Sequence, residues 1–149
     1  MIHSETIQVK KLNNYAKIPA AGSDFAAGYD VYAAIDKPVT IRAFETIKIG
    51  TGIAVAIPEN YWLALFARSG LATKRGLRPA NCVGVIDPDY RGEIIMPVYN
   101  DSGRAQTIDP GERIGQLILM PRYGMHFKKV DELDSTERNA GGFGSTGTK

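Results

Sequence analysis

The sequence predicts an all-β fold, a jelly-roll or distorted β-barrel sandwich with one short helix. Three observations carry that expectation. Sixteen glycines and eight prolines are scattered along 149 residues, and outside 1–18 and 125–140 no run free of both exceeds 11 residues, so ordinary helices have no room. Apolar residues recur at every second position in several short stretches, the period of a strand. Some of those stretches are apolar at the intervening positions as well, so both of their faces must be dry.

The elements follow in order. Thr46 to Ile49 alternates as a strand with one wet face. Ile53, Val55 and Ile57 are interleaved with alanines, and Tyr61, Leu63 and Leu65 with Trp62, Ala64 and Phe66, which makes two doubly apolar strands. Between Arg68 and Gly76 lies the best helix candidate, one or two turns with Ser69 as the N-cap and Gly76 as the stop. Gly84 and Asp87-Pro88-Asp89 read as hairpin or turn chemistry between apolar stretches. A last strand, Ile114 to Met120, alternates Ile114, Gln116 and Ile118 on one face with Leu117 and Leu119 on the other. Pro38, Pro58, Pro88, Pro97, Pro110 and Pro121 punctuate the pattern as in a sandwich or jelly roll. In a chain this small, several doubly apolar strands call for cover by copies of itself.

From Arg138 the character changes. Gly141, Gly142, Gly144 and Gly147 surround a single bulky apolar residue, Phe143. Such a segment cannot bury enough to offset an ordering cost of ~1–2 kcal/mol per residue, and it is expected to be mobile in the free protein. The chain thus divides into a β domain, 1–137, and a C-terminal arm, 138–149.

Composition excludes several classes. With 44% hydrophobic and 23% charged residues the chain is neither disordered nor collagenous. One cysteine, Cys82, allows no internal disulfide and suits a reducing compartment; a small buried residue is expected there rather than a nucleophile. The start MIHSETIQVKK lacks the apolar core of a secretory signal, and the runs GIAVAI and YWLALFA stop at Pro58 and Arg68, short of a membrane span. The expectation is a cytoplasmic protein without a membrane partner. Eighteen basic and 16 acidic residues give a net charge of +2, too balanced for a nucleic-acid surface. Asn100-Asp101-Ser102 matches a glycosylation sequon, without consequence in an intracellular protein.

The segments with chemical potential are individually modest. The tail GGFGSTGTK lacks the lysine of a P-loop, and Asn81 to Gly92 fails as a calcium loop because Arg91 falls where an oxygen ligand is needed. What remains is a tail rich in N–H groups with Arg138, Phe143, Ser145 and Thr146, which is also what a solvated tail looks like. Arg68 and Ser69 beside a helix start could hold an anion, or be a surface arginine next to a cap. Asp87 borders the dry pair Val85-Ile86 and is either a reactive carboxylate or a turn residue. His3 and His126 stand alone, and neither a zinc site nor a Ser-His-Asp order is present in the spacing.

Their combination and order are more specific. AGYDVYA from Ala27, RSGLA from Arg68, the Asn81 segment with its GVIDPDYRG, GERIGQL from Gly111, and Arg138 with GGFGSTG resemble the five motifs of the homotrimeric dUTPase family. The resemblance runs from Ala27 to Gly147. Departures are Ala67 where proline is frequent, Glu112 where aspartate is usual, Gly115 where alanine is common, and Asn139 where glycine is common. None removes a functional side chain.

The resemblance implies hydrolysis of dUTP to dUMP and pyrophosphate with Mg2+ as cofactor, in sites each built from three subunits of a homotrimer. By similarity, Asp87 is the general base for water attacking the α-phosphorus, and Asp30 holds waters of the magnesium. Arg68, Ser69, Gly70 and Gln116 grip the α and β phosphates; Arg138, Ser145 and Thr146 hold the γ phosphate, with Gly144 in the same substrate-binding set. The segment with Asn81, Gly84, Val85 and Ile86 presents its backbone and the Asn81 amide to the uracil edge, so that cytosine leaves buried groups unpaired. Tyr90 stands against the deoxyribose, and Phe143 stacks on the base as the arm closes. Two rivals belong to this reading: a related trimeric dCTP deaminase, and a dUTP-binding regulator.

Overall fold

Short strands broken by glycine and proline can satisfy their backbone groups only by pairing with distant segments, and that is how this chain is built. The computed structural model describes residues 4–142. Its strands are β1 (Gln8–Lys11), β2 (Ala20–Ala21), β3 (Tyr29–Tyr32), β4 (Val39–Ile41), β5 (Thr46–Gly50), β6 (Ile53–Ala56), β7 (Tyr61–Phe66), β8 (Leu77–Pro79), β9 (Gly84–Ile86), β10 (Ile95–Asn100), β11 (Gln106–Ile108) and β12 (Arg113–Pro121). A sheet of order β2-β3-β12-β7-β9 is accompanied by β5-β10-β8 and by the pairs β1-β6 and β11-β4. Every pairing is antiparallel. The all-β expectation with one short helix holds.

The core lies between the sheets. Ile41, Ile49, Ile53, Leu65, Leu77, Ile94, Met96, Val98, Ile108 and Ile114 are almost completely buried. β5 has its wet and dry faces as the alternation predicted, and Ile53, Ala54 and Val55 of β6 are all buried. On β7 the inner Leu63, Ala64 and Leu65 are buried, while Tyr61, Trp62 and Phe66 are half-buried in the single chain. The Tyr61 hydroxyl donates to Glu5 Oε1 at 3.1 Å, and that acceptor raises the phenol above its ordinary value of 10.0.

Pro97 sits inside β10 without breaking it. It faces Lys48 of β5 in register, while its carbonyl accepts from Ala80 N at 2.7 Å. N–H and C=O of one strand residue point the same way, so the missing donor points toward residue 80, just past the end of β8, and only the reciprocal bond of that terminal pair is lost. Asn100, buried at the end of β10, donates from Nδ2 to the carbonyls of Ile41, Arg42 and Arg104. The sequon is therefore a sealed structural node.

Four details correct the sequence reading. The helix exists, as a π-wound turn Leu71–Arg75 after two helical residues at 69–70, and Gly76 stops it at φ 68° as expected. Ser69, however, makes no capping hydrogen bond: it is already helical, and its carbonyl accepts from Thr73 Oγ1 at 2.7 Å. On β12 the alternation is broken by a register shift between Arg113 and Gly115, which sends Ile114 into the core beside Leu117 instead of leaving it on the Gln116 face. The segment around Asp87 is a turn between sheets, not a two-stranded hairpin, because β9 pairs with β7 whereas β10 pairs with β5 and β8. Cys82 is exposed rather than buried, at φ 64°.

Beyond Pro121 the described residues carry no strand or helix, and 121–140 are exposed throughout. Tyr123, Met125, Phe127 and Leu133 are 74–89% exposed. Among the described residues, no helix is long and apolar enough to cross a membrane.

Candidate active site

One cluster forms where β3, β12 and β7 adjoin. Gln116 stands opposite Asp30 on one side and Phe66 on the other, so a single strand row brings together the first, second and fourth motifs. Asp30 is largely buried and accepts from two arginines: Arg68 Nε reaches Oδ1 at 2.9 Å and Arg113 Nη1 reaches Oδ2 at 3.1 Å. Gln116 Nε2 donates to Ala67 O at 2.9 Å, fixing the residue that precedes Arg68. Ser69 and Gly70 follow, exposed at the start of the helical turn. Gly28 is needed for close approach, because a Cβ there would lie 2.4 Å from Gln116 Oε1. The outcome is two guanidinium groups and an exposed helical start on one face, an arrangement suited to phosphate.

Arg113 is a site residue that the sequence pattern does not single out, although it lies in GERIGQL. Strand parity puts residues 113 and 116 on opposite faces. The register shift at Ile114 leaves Arg113 opposite Tyr32 and Gln116 opposite Asp30, two positions on the same face of β3. A bulge is not readable from alternation alone, so no sequence signal announced it.

A second cluster lies across the sheet. Asn81, Gly84, Val85, Ile86, Asp87 and Tyr90 line one cavity of about 200 Å3, whose remaining walls are Leu65, Ile94, Ile95 and Pro97. The six expected residues are thus together, and the last four are additions that only packing supplies. Local backbone geometry shapes the rim: Val83 N donates to Asn81 O at 2.7 Å around the left-handed Cys82, and Tyr90 N donates to Asp87 O at 3.1 Å, closing the turn behind the carboxylate. The Tyr90 hydroxyl donates to Glu93 O at 3.0 Å.

The two clusters do not meet within one chain. Leu63 faces Ile86 across β7 and β9, so Asp87 falls beside Trp62, four residues along β7 from the Phe66 row that holds Gln116 and Asp30. Four strand residues span about 13 Å, and the three strand spacings from β3 to β9 add about 14 Å laterally. Curling of the sheet shortens the lateral part and leaves the axial part.

Arg138 is exposed, and its Nε donates to Gly141 O at 2.8 Å. Asn139 adopts φ 43°, a left-handed geometry that asparagine tolerates. Phe143, Gly144, Ser145 and Thr146 lie outside the described residues.

The chain is similar to known proteins over most of its length. The family model described as dUTPase matches residues 14–147. The deoxyuridine 5'-triphosphate nucleotidohydrolase of Fusobacterium nucleatum is 44% identical over 142 residues, covering 95% of this chain and 97% of its own. That of Hahella chejuensis is 43% identical, covering 94% and 93%. Among solved structures, the dUTPase of Staphylococcus bacteriophage 80alpha with dUPNHPP superposes with a TM-score of 0.87 at 31% identity, over 97% of this chain and 99% of that one. An aspartate-to-asparagine variant of the dUTPase from phage phi11 of S. aureus, whose structure concerns coordination of a structural Mg(II) ion, gives 0.79 at 27% identity, over 88% and 100%. On its motifs, its fold and these matches, the chain belongs to the dUTPase family.

Proposed function

We propose that this chain hydrolyses dUTP to dUMP and pyrophosphate, with Mg2+, in sites shared among the copies of a homotrimer. The observation that carries the reading is that Asn81, Gly84, Val85, Ile86 and Tyr90, which the resemblance assigns to the nucleoside, line one cavity together with Asp87, which it assigns as the general base. A pyrimidine ring fits its volume, and uracil is selected by the Asn81 amide and the strand backbone while cytosine leaves donors and acceptors unmatched. Tyr90 guards the sugar.

Sharing between copies follows from the separation of Asp87 from Asp30 and Arg68 along the sheet. The Asp87 cavity of one copy must face the arginine cluster of another for water, α-phosphorus and phosphate grip to meet. The exposed segment just after β12 supports the same assembly: Tyr123, Met125 and Phe127 alternate with Gly124, His126 and Lys128, the pattern of a strand with one apolar face that the single chain leaves uncovered. Residues 138–149 are the closing arm in this reading, with Arg138, Ser145 and Thr146 on the γ phosphate, Gly144 in the same substrate-binding set and Phe143 over the base.

Asp87 then orients a water and takes its proton as the water oxygen bonds to the α-phosphorus, while the bond to the bridging oxygen breaks and pyrophosphate leaves. Arg68, Ser69, Gly70 and Gln116 hold the α and β phosphates in line. When bound, Mg2+ supplies neutralisation of the triphosphate charge. The residues present fit an ion reached through its waters: both Asp30 oxygens already accept from arginines, and among the described residues no three of His, Cys, Asp and Glu converge into a cage. Its inner ligands would be phosphate oxygens and water, as a small hard cation prefers. A cytoplasmic location belongs to the same proposal.

Pyrophosphate release measured with dUTP, dCTP, dTTP and UTP in the presence of magnesium tests the reading. Release from dUTP far above the other three supports it. Ammonia from dCTP would replace it with the deaminase, and tight dUTP binding without turnover would replace it with the regulator.

A further inference from the structure

We propose that Arg75 and Glu112, neither of which touches nucleotide in the reading above, form a positioning pair that sets the spacing of the two phosphate-gripping segments. Arg75 is the last residue of the helical turn that begins just after Arg68, Ser69 and Gly70. Its guanidinium crosses to β11 and the connection that follows it: Nη1 donates to Glu112 Oε1 in the connection and Nη2 to Thr107 O on β11, with Nε 3.4 Å from Gln106 Oε1. Glu112 is fixed in turn: its second oxygen accepts from Asp109 N at 2.9 Å, its N donates to Asp109 O at 3.1 Å, and its carbonyl accepts from Ala33 N at 2.8 Å.

The next residue is Arg113, on Asp30, and three further on is Gln116, on Ala67 O. The segments 67–75 and 112–116 are therefore tied at both ends, by Gln116 to Ala67 near the phosphates and by Arg75 to Glu112 behind them. Both charged groups are mostly shielded, with side-chain exposures of 30% and 21%, so the pair is less screened than a surface bridge. Loosening the rear tie lets the helical start that carries Ser69 and Gly70 drift relative to Gln116, and sub-ångström drift matters for in-line transfer. No such effect reaches the base cavity, which is built from 65, 81–90 and 94–97.

The inference rests on the proposed dUTP hydrolysis, and the test separates the two. Wild type, Glu112→Gln and Glu112→Asp are compared for kcat and KM on dUTP and for inhibition by deoxyuridine, which has no phosphate. Glu112→Gln is expected to lower kcat/KM at least ~10-fold with the deoxyuridine inhibition constant unchanged, and Glu112→Asp, which keeps the carboxylate, to recover most of the loss. Unchanged kcat/KM in Glu112→Gln, or equal weakening of deoxyuridine, overturns the positioning role. If Glu112→Gln does not fold, Arg75→Lys decides by the same ratio. A wild type that leaves dUTP intact sinks the proposed function instead.

Discussion

Arg68 presents its Nε, not its outer nitrogens, to Asp30 Oδ1 at 2.9 Å. That choice leaves the Nη edge of the guanidinium free for a ligand, while Arg113 occupies the other carboxylate oxygen at 3.1 Å. Asp30 thereby aims two cations by itself.

Replacing Asp30 by asparagine should for that reason weaken a non-hydrolysable dUTP analogue even when metal is chelated, by about tenfold, since hydrogen bonds to a charged partner are worth roughly 1.5–3 kcal/mol. Calorimetric titration with and without magnesium reads this directly. A loss seen only with magnesium present would assign Asp30 to the metal alone.

In the proposed mechanism Asp87 is the proton acceptor, and Asp87→Asn keeps its shape without that capacity. Nucleotide binding should persist while pyrophosphate release slows at least ~100-fold. An unaltered rate would move the base elsewhere.

Gly28→Ala separates function from stability. The new methyl meets the flexible end of Gln116, so the fold can adapt by turning that amide away from Ala67 O. The expected result is a denaturation midpoint close to wild type with kcat/KM reduced about tenfold. A large stability loss with normal specific activity would contradict it.

Phe44 lies at φ 61° with its ring 65% exposed, and its N–H donates to Asn100 O at 2.9 Å, a bond that glycine would keep without the strained Cβ. A left-handed conformation costs a residue with a Cβ roughly 1–2 kcal/mol, and glycine gives back ~0.5–1 through its unfolded-state freedom. Phe44→Gly should raise stability by about 0.5–1 kcal/mol in denaturant unfolding. A drop of similar size would mean that the ring is covered in the assembly.

Removing Gly141 to Lys149 should abolish most turnover while sedimentation still reports the same oligomer. Dissociation on truncation would make the segment structural rather than a closing arm.

Much of this protein was readable along the chain. Alternation fixed β5, β6 and β7, because a strand face is set by neighbours two residues apart, and glycine marked the stop at Gly76, because only its backbone reaches φ 68° cheaply. The set around Asn81 and Asp87 is implied by the family resemblance, whose third motif spans those residues as one contiguous segment. What tertiary structure alone decided are relations between distant segments: the bulge that turns Arg113 toward Asp30, the Arg75 tether to Glu112, the four walls contributed by Leu65, Ile94, Ile95 and Pro97, and the exposure of Cys82. Each depends on which strand pairs with which and in what register, a balance of long-range packing and loop closure to which no local pattern is sensitive.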